Sequence, residues 1–278
     1  MIAYLDTNVF DHIYRKIGCT GADIANLRRA IYGRDLSIRL SIHTLEEILL
    51  ERRASPQAFA AQIKLTLSLA NSRALIKPCD QLLIDDLRAY AARGEADRPF
   101  LRGEMQNAVA SGIAALIESD GEELEDEFVE VLKETARQRQ EFAATFERAR
   151  EAIASSASPA VDTGNFEQDF AERAAGAADR LIERAGVRDQ CLQRGLDGLF
   201  RIKSVRMSLG AAIALNHEQN SGGLPPANSA ALHHAVSAAA VAPTFVTDDA
   251  DTHQLLARVP VDGFDIVSLP DFLKRLAT

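Results

Sequence analysis

An α/β domain built on a mainly parallel sheet and interrupted by a large all-helical insertion is the fold class that the sequence predicts. Three observations predict it. Short apolar runs alternate with helix-spaced segments near both ends of the chain. Acids follow these runs closely, where buried strands should end. Between roughly residues 79 and 220, no strand-like run interrupts the helical spacing.

Taken in order, IAYL at 2–5 reads as a buried strand, followed by a helical stretch to about Ala30. LSIRLSI at 36–42 reads as a second strand, and the next residues place Leu45, Ile48, Leu49 and Arg52 at helical spacing. Pro56 is suited to start another helix, and ALIKP at 74–78 reads as a third strand ended by proline. The middle carries apolar residues at 124, 128, 131, 132, 142, 146, 149 and 153, a helical stripe on an otherwise charged segment. SSASPAVDTGN at 155–165 breaks it, and further helices carry Phe166, Phe170, Leu181, Ile182, Leu192, Leu196, Leu199 and Phe200. After the loop at 221–229, LHHAVSAAAVA reads as a small-residue helix, PTFVTDD at 243–249 as a strand running into a polar turn, and DIVSLP at 265–270 as a last short strand.

Residues 1–80 and 205–278 therefore form two parts of one core, with 81–204 as the insertion. At 278 residues, 47% hydrophobic and 26% charged, the chain has the composition of a globular protein with a real core. A net charge of -9 argues against a broad basic surface for nucleic acid, but bound divalent cations can supply the missing positive charge. Three widely spaced cysteines offer neither a disulfide framework nor zinc-ligand spacing. There is no signal-peptide pattern and no run of 18 apolar residues, so the expected location is the cytoplasm, away from any membrane.

The acids carry the chemistry. Asp6 follows IAYL, Glu47 stands shortly after the second strand, and Asp248, Asp249 and Asp251 follow TFVT. Parallel α/β sheets bind ligands at the carboxyl ends of their strands, so three segments are expected to deliver carboxylates to one crevice. Clustered carboxylates gather a hard divalent cation, magnesium or manganese, which can activate water against a phosphodiester.

YLDTN near the N-terminus, LEEIL after the second strand, and HHA followed by FVTDD resemble the PIN-domain nucleases in order and placement. The resemblance covers about residues 1–80 and 205–278. It implies a three-layer α/β/α sandwich, metal-dependent ribonuclease activity and, for many members, a toxin of a toxin-antitoxin pair. It implies Asp6, Glu47 and Asp249 as catalytic metal ligands, with Asp251 as an outer ligand and Asn8 accompanying Asp6. Thr7 and Thr247 are expected to tie down the turns with their hydroxyls. The partners expected are RNA and an antitoxin protein or a second copy of the chain.

One position departs from the pattern: where similar sequences carry an aspartate ahead of the histidine pair, this chain has Ala230 and Ala231. Either the ligand is lost, leaving an impaired binding module, or Asn228, His233 or His234 substitutes in part, or the position has been altered.

Plainer readings stand beside these. Asp6 is also a good helix N-cap, and EELEDE at 122–127 suits a helix N-terminus. Glu47 and Glu51 share a helix face that Glu46 does not, so Glu47 is the expected ligand and Glu46 a solvated charge. His233 and His234 diverge by about 100 degrees and are expected not to face the crevice together. Asp248 reads as a solvated turn residue. The arginines of ARQRQ and FERAR read as a solvated face, while Arg201, Lys203 and Arg206 are the expected RNA contacts near the crevice.

Overall fold

The computed structural model describes residues 1–51, 56–70, 74–119, 125–156, 166–220 and 229–277. The first part runs β1 (Ile2–Leu5), α1 (Thr7–Arg15), α2 (Gly21–Tyr32), β2 (Ser37–Arg39), α3 (Ile42–Glu51) and α4 (Pro56–Leu69). The helical middle comprises α5 (Cys79–Arg93), α6 (Gly103–Glu118), α7 (Asp126–Ser156), α8 (Phe166–Ala185), α9 (Arg188–Arg194), α10 (Leu196–Leu199) and α11 (Lys203–Asn220). The chain closes with α12 (Ser229–Val241), β3 (Thr244–Val246), α13 (Ala250–Leu256), β4 (Asp265–Val267) and α14 (Leu269–Ala277). No helix among the described residues is long and apolar enough to cross a membrane.

The four strands form one all-parallel sheet in the order β2-β1-β3-β4. Period-two alternation explains why its strands are apolar on both faces. Tyr4 and Phe245, paired in register, enter one core; Ala3, Leu5 and Val246 enter the other. From β1 the chain first moves out to β2 and later returns on the far side as β3. The β1–β3 boundary is thus a topological switch point, where connections leave in opposite directions and a crevice opens beyond the strand ends.

Two strand expectations are corrected. The run at 36–42 is a strand only over Ser37–Arg39, because the Ser41 hydroxyl accepts the Thr44 N–H at 3.2 Å and turns the chain into α3. The run at 74–78 is no regular strand: Ile76 alone bridges to Ser41 on one side and Phe100 on the other. Pro78, without an N–H, then precedes α5.

The middle of the chain is inserted in sequence but not set apart in space. Residues of α5, α7, α8 and α11 share one core with Tyr4, Phe245 and α12, so these helices cover one face of the sheet. Helices α1 to α4, α6 and α14 cover the other. Helix α7 joins the two: Phe128 near its start packs in one core, and Phe142, Phe146 and Ile153 pack in the other. Asp126 and Glu127 occupy its first turn, in line with the dipole reading of that acidic run. Residues 122–124, 157–165 and 221–228 lie outside those described.

Gly112 brings α6 onto α7, since a Cβ there would overlap the Cβ and Cγ atoms of Phe128. Gly112→Ala should destabilise the fold by about 1–3 kcal/mol through overpacking. Gly176→Ala on α8, where a methyl meets open space, should be neutral or slightly stabilising. Denaturant melts of both variants check the contrast; equal effects would count against the close α6–α7 approach.

Candidate functional site

Asp6 sits at the switch point. It ends β1, caps α1 and is 5% exposed. Its carboxylate accepts the Thr7 N–H at 2.7 Å, the Thr247 hydroxyl at 2.8 Å and the Asn8 amide at 3.2 Å. Asn8 also donates to Thr247 Oγ1 at 3.3 Å, and its Oδ1 accepts the Asp248 N–H at 3.4 Å. Asn8 and Thr247 therefore lock the β1 and β3 turns together, while the Thr7 hydroxyl faces His234 Nε2 at 3.3 Å. Burial pushes the Asp6 carboxyl above the usual range, against the opposing pull of His234 and Thr247.

Glu47, on α3, receives both histidines of α12. His233 Nε2 lies 3.3 Å from Glu47 Oε1, and His234 Nε2 lies 3.0 Å from Oε2. The expectation that only one histidine could face the crevice is thus corrected. Their Cα–Cβ directions diverge, but residues 232–239 of α12 are all buried, and Glu47 stands between the rings with one oxygen toward each. His234 Nε2 is also 3.8 Å from Asp6 Oδ1, so this imidazole links the two acids.

The charges follow from these contacts. Burial would raise the Glu47 carboxyl, but His234 and His233 outweigh it and hold the group below its usual range. Burial also opposes a charge on His234, yet Tyr4, Glu47 and Asp6 overcome it and hold the proton well above the usual histidine range. Tyr4 Oη meets His234 Nδ1 at 2.6 Å and Ser41 Oγ at 2.7 Å. His233 behaves oppositely: burial, with His43 and His234 alongside, keeps it neutral well below that range. Its contact with Glu47 lacks hydrogen-bond geometry, so both ring nitrogens are buried without a hydrogen bond. The His43 ring packs against His233 at a tilt of 47° with ring centres 4.3 Å apart, and its Nε2 accepts the Cys79 N–H at 3.0 Å. The His43 proton must then sit on Nδ1, facing Glu46 at 3.5 Å.

Two residues read as solvated belong to the site. Glu46 is 3% exposed and lies 2.9 Å from the Arg139 guanidinium, which also approaches Glu47 at 3.6 Å. Arg139 comes from the middle of α7, where the helix passes between the two cores. A signal was present: residues 128, 132, 135, 139, 142 and 146 recur at spacings of three or four, so Arg139 is a charge on the buried stripe. Three carboxylates, Asp6, Glu46 and Glu47, thus face two cations, Arg139 and protonated His234. The Glu51 side chain lies outside those described.

Asp249 does not join this group. It caps α13, accepting the N–H groups of Asp251 and Thr252 at 3.1 and 3.4 Å and the Thr252 hydroxyl at 2.7 Å. The open N–H groups of that helix draw the carboxylate into capping. Asp251 is exposed in the same turn. Asp248 is a latch rather than a solvated residue, binding His12 Nδ1 at 2.7 Å and the Leu269 N–H at 2.8 Å. Among the described residues, Glu47, His233 and His234 are the one set of three metal-ligand side chains whose donor atoms all lie within 4.8 Å of one another. A carboxylate with two imidazoles is not the oxygen shell that magnesium takes, so the implied magnesium does not fit these residues.

Lys203 and Arg206 make their contacts away from the crevice, and Arg201 is exposed. Arg206 donates to the Pro260 carbonyl at 2.6 Å, pairs with Glu167 and lies 4.6 Å over the Phe170 ring. The Lys203 ammonium approaches Gly263. Pro260 and Gly263 lie in the segment that leads into β4, at the amino ends of the strands, whereas Glu167 and Phe170 belong to α8. Asn228 and the side chains of Ala230 and Ala231 lie outside those described.

The histidines set opposite limbs of a pH profile. A raised His234 contributes stability that is complete below the ordinary histidine value of 6.5 and is lost as pH rises through its folded value. A lowered His233 has the reverse sign, losing stability as pH falls below 6.5. The melting temperature should decline as pH rises above 6.5 toward the raised His234 value, and His234→Gln should flatten that decline; an unchanged slope would sink the assignment. Arg139→Met should cost about 1–3 kcal/mol by leaving Glu46 buried without its cation, and Glu46→Gln in the same chain should recover most of it. A double-mutant cycle in denaturant checks the coupling. Comparison of the chain with protein-family models, curated proteins and solved structures finds no match.

Proposed function

We propose that the chain is a divalent-metal-dependent ribonuclease with a PIN-like fold, acting in the cytoplasm. One observation carries the reading: Asp6 after β1 and Glu47 after β2 converge, through His234, on one buried centre at the switch point of a parallel sheet. A divalent cation, when bound, makes a nucleophile of water and stabilises charge on a phosphate. The chain's own residues orient and hold charge. Thr7, Asn8 and Thr247 fix Asp6. Arg139, with a side chain 26% exposed, supplies a guanidinium at the rim that suits a phosphate oxygen. The acidic net charge limits non-specific affinity for RNA, so contact concentrates at this crevice. In this reading the chain works as a toxin held by an antitoxin protein or as a homodimer.

A second reading, a catalytically impaired RNA- or protein-binding module, is favoured by a different observation. The carboxylates of Asp6 and Asp249 are occupied by protein donors, and Arg139 with His234 offsets the acids without an added ion.

RNA cleavage by the full chain in manganese separates the two. Chelation by EDTA should abolish it, and Asp6→Asn should lower it by at least about 100-fold. Cleavage surviving both changes overturns the ribonuclease proposal; RNA binding with no cleavage in any divalent metal selects the second reading.

A further inference from the structure

We infer that Glu47, His233 and His234, with Asp6 as fourth ligand, form a histidine–carboxylate site for a first-row transition cation of the Mn2+ or Zn2+ type. The inference rests on reading this crevice as a divalent-cation site, and it replaces the oxygen-only magnesium site that the strand-end acids suggest.

His233 is the first ground. Its side chain is 0% exposed, yet neither ring nitrogen makes a hydrogen bond. A buried imidazole left so loses about 1–3 kcal/mol of polar interactions, and a bound ligand restores them. Its Nε2 is aimed at Glu47, where the His234 Nε2 also points.

The second ground is geometry. Ligands bound at about 2.1 Å in tetrahedral or octahedral shells stand about 3.0–3.4 Å from one another. The separations here are 3.3 Å from His233 Nε2 to Glu47 Oε1 and 3.0 Å from His234 Nε2 to Glu47 Oε2, one donor atom from each of these three residues lies within 4.8 Å of the other two, and Asp6 Oδ1 is 3.8 Å from His234 Nε2. An ion seated between the two imidazoles draws the Glu47 carboxylate to it, and Asp6, which lies outside that set of three, joins by a side-chain shift. Asp6 remains able to contribute, because its Oδ1 accepts one hydrogen bond, from Thr7, and retains a free lone pair.

Outer contacts hold the ligands. Tyr4 Oη at His234 Nδ1 fixes that ring with Nε2 toward the acids, the usual outer-shell arrangement of a metal-bound imidazole. The His43 ring backs His233 at 4.3 Å and is not itself a ligand, since its Nε2 is taken by the Cys79 N–H. The cation occupies the place of the His234 Nε2 proton, which leaves to solvent. Two imidazoles with carboxylates favour Mn2+, Fe2+ or Zn2+ over Mg2+ and Ca2+.

The test uses the full chain stripped with EDTA and titrated calorimetrically with manganese, zinc and magnesium chlorides. Mn2+ should bind at least about tenfold more tightly than Mg2+, and Zn2+ more tightly still. Pulsed electron paramagnetic resonance of the Mn2+ form of the unaltered chain should show nitrogen coupling from imidazole, a readout that needs no variant to fold. His233→Leu, which refills the space without a donor, should weaken Mn2+ by at least about tenfold, while Asp249→Asn leaves it unchanged. Equal Mn2+ and Mg2+ affinity, absent nitrogen coupling, or loss of binding on Asp249→Asn overturns the assignment. Nitrogen-coupled Mn2+ without RNA cleavage upholds the site and sinks the ribonuclease proposal; magnesium-supported cleavage without nitrogen coupling does the reverse.

Discussion

The hydrogen bond from the Thr247 hydroxyl to the Asp6 carboxylate joins residues 241 apart in sequence, and the rest of the crevice depends on it. It can form only because β3 pairs with β1 along Ala3–Leu5, which ends both strands at the same level. That pairing closes a very long loop, and the closure is compensated by the two apolar cores that β1 and β3 enter on alternate faces. With both turns at one level, Asn8 bridges them, and the N-termini of α1 and α13 are directed to the same end of the sheet.

The acids at that end divide between two demands. A helix that starts beneath a strand end needs acceptors for its open N–H groups, and a nearby aspartate supplies them. Asp249 meets that demand with both of its carboxylate oxygens. Asp6 meets it with Oδ1 and still faces His234. Glu46 and Glu47 lie within α3 and owe nothing to its cap, which Ser41 provides. The shared centre therefore forms around α3 and α12 more than around β3.

Burial then sets the charge states. Three carboxylates cannot stay ionised in a largely buried crevice without compensation, and the protein supplies it from two helices: Arg139 from α7 and protonated His234 from α12. His233 remains neutral beside them because a third positive group would have to overcome desolvation with His234 already close by. One histidine of an adjacent pair is thus a cation and the other a neutral ring whose donor and acceptor nitrogens both lack a hydrogen bond, a difference made by neighbours rather than by residue type.

The sequence by itself determined the alternation of strands and helices at both ends, the helical middle, and the position of Asp6 at the end of β1. These depend on local periodicity and on residues a few places apart, which the chain shows directly. It also marked Glu47, through its helix facing. Only the tertiary structure decided which polar groups meet. The capping role of Asp249, the latch made by Asp248, the arrival of Arg139 between the cores and the convergence of both histidines on Glu47 all depend on long-range packing. Lys203 and Arg206, at the start of α11, instead contact the segment leading into β4, at the amino ends of the strands. Period reports which face of an element is buried; where two buried faces meet, and at which end of the sheet, is set by the order of strands in space.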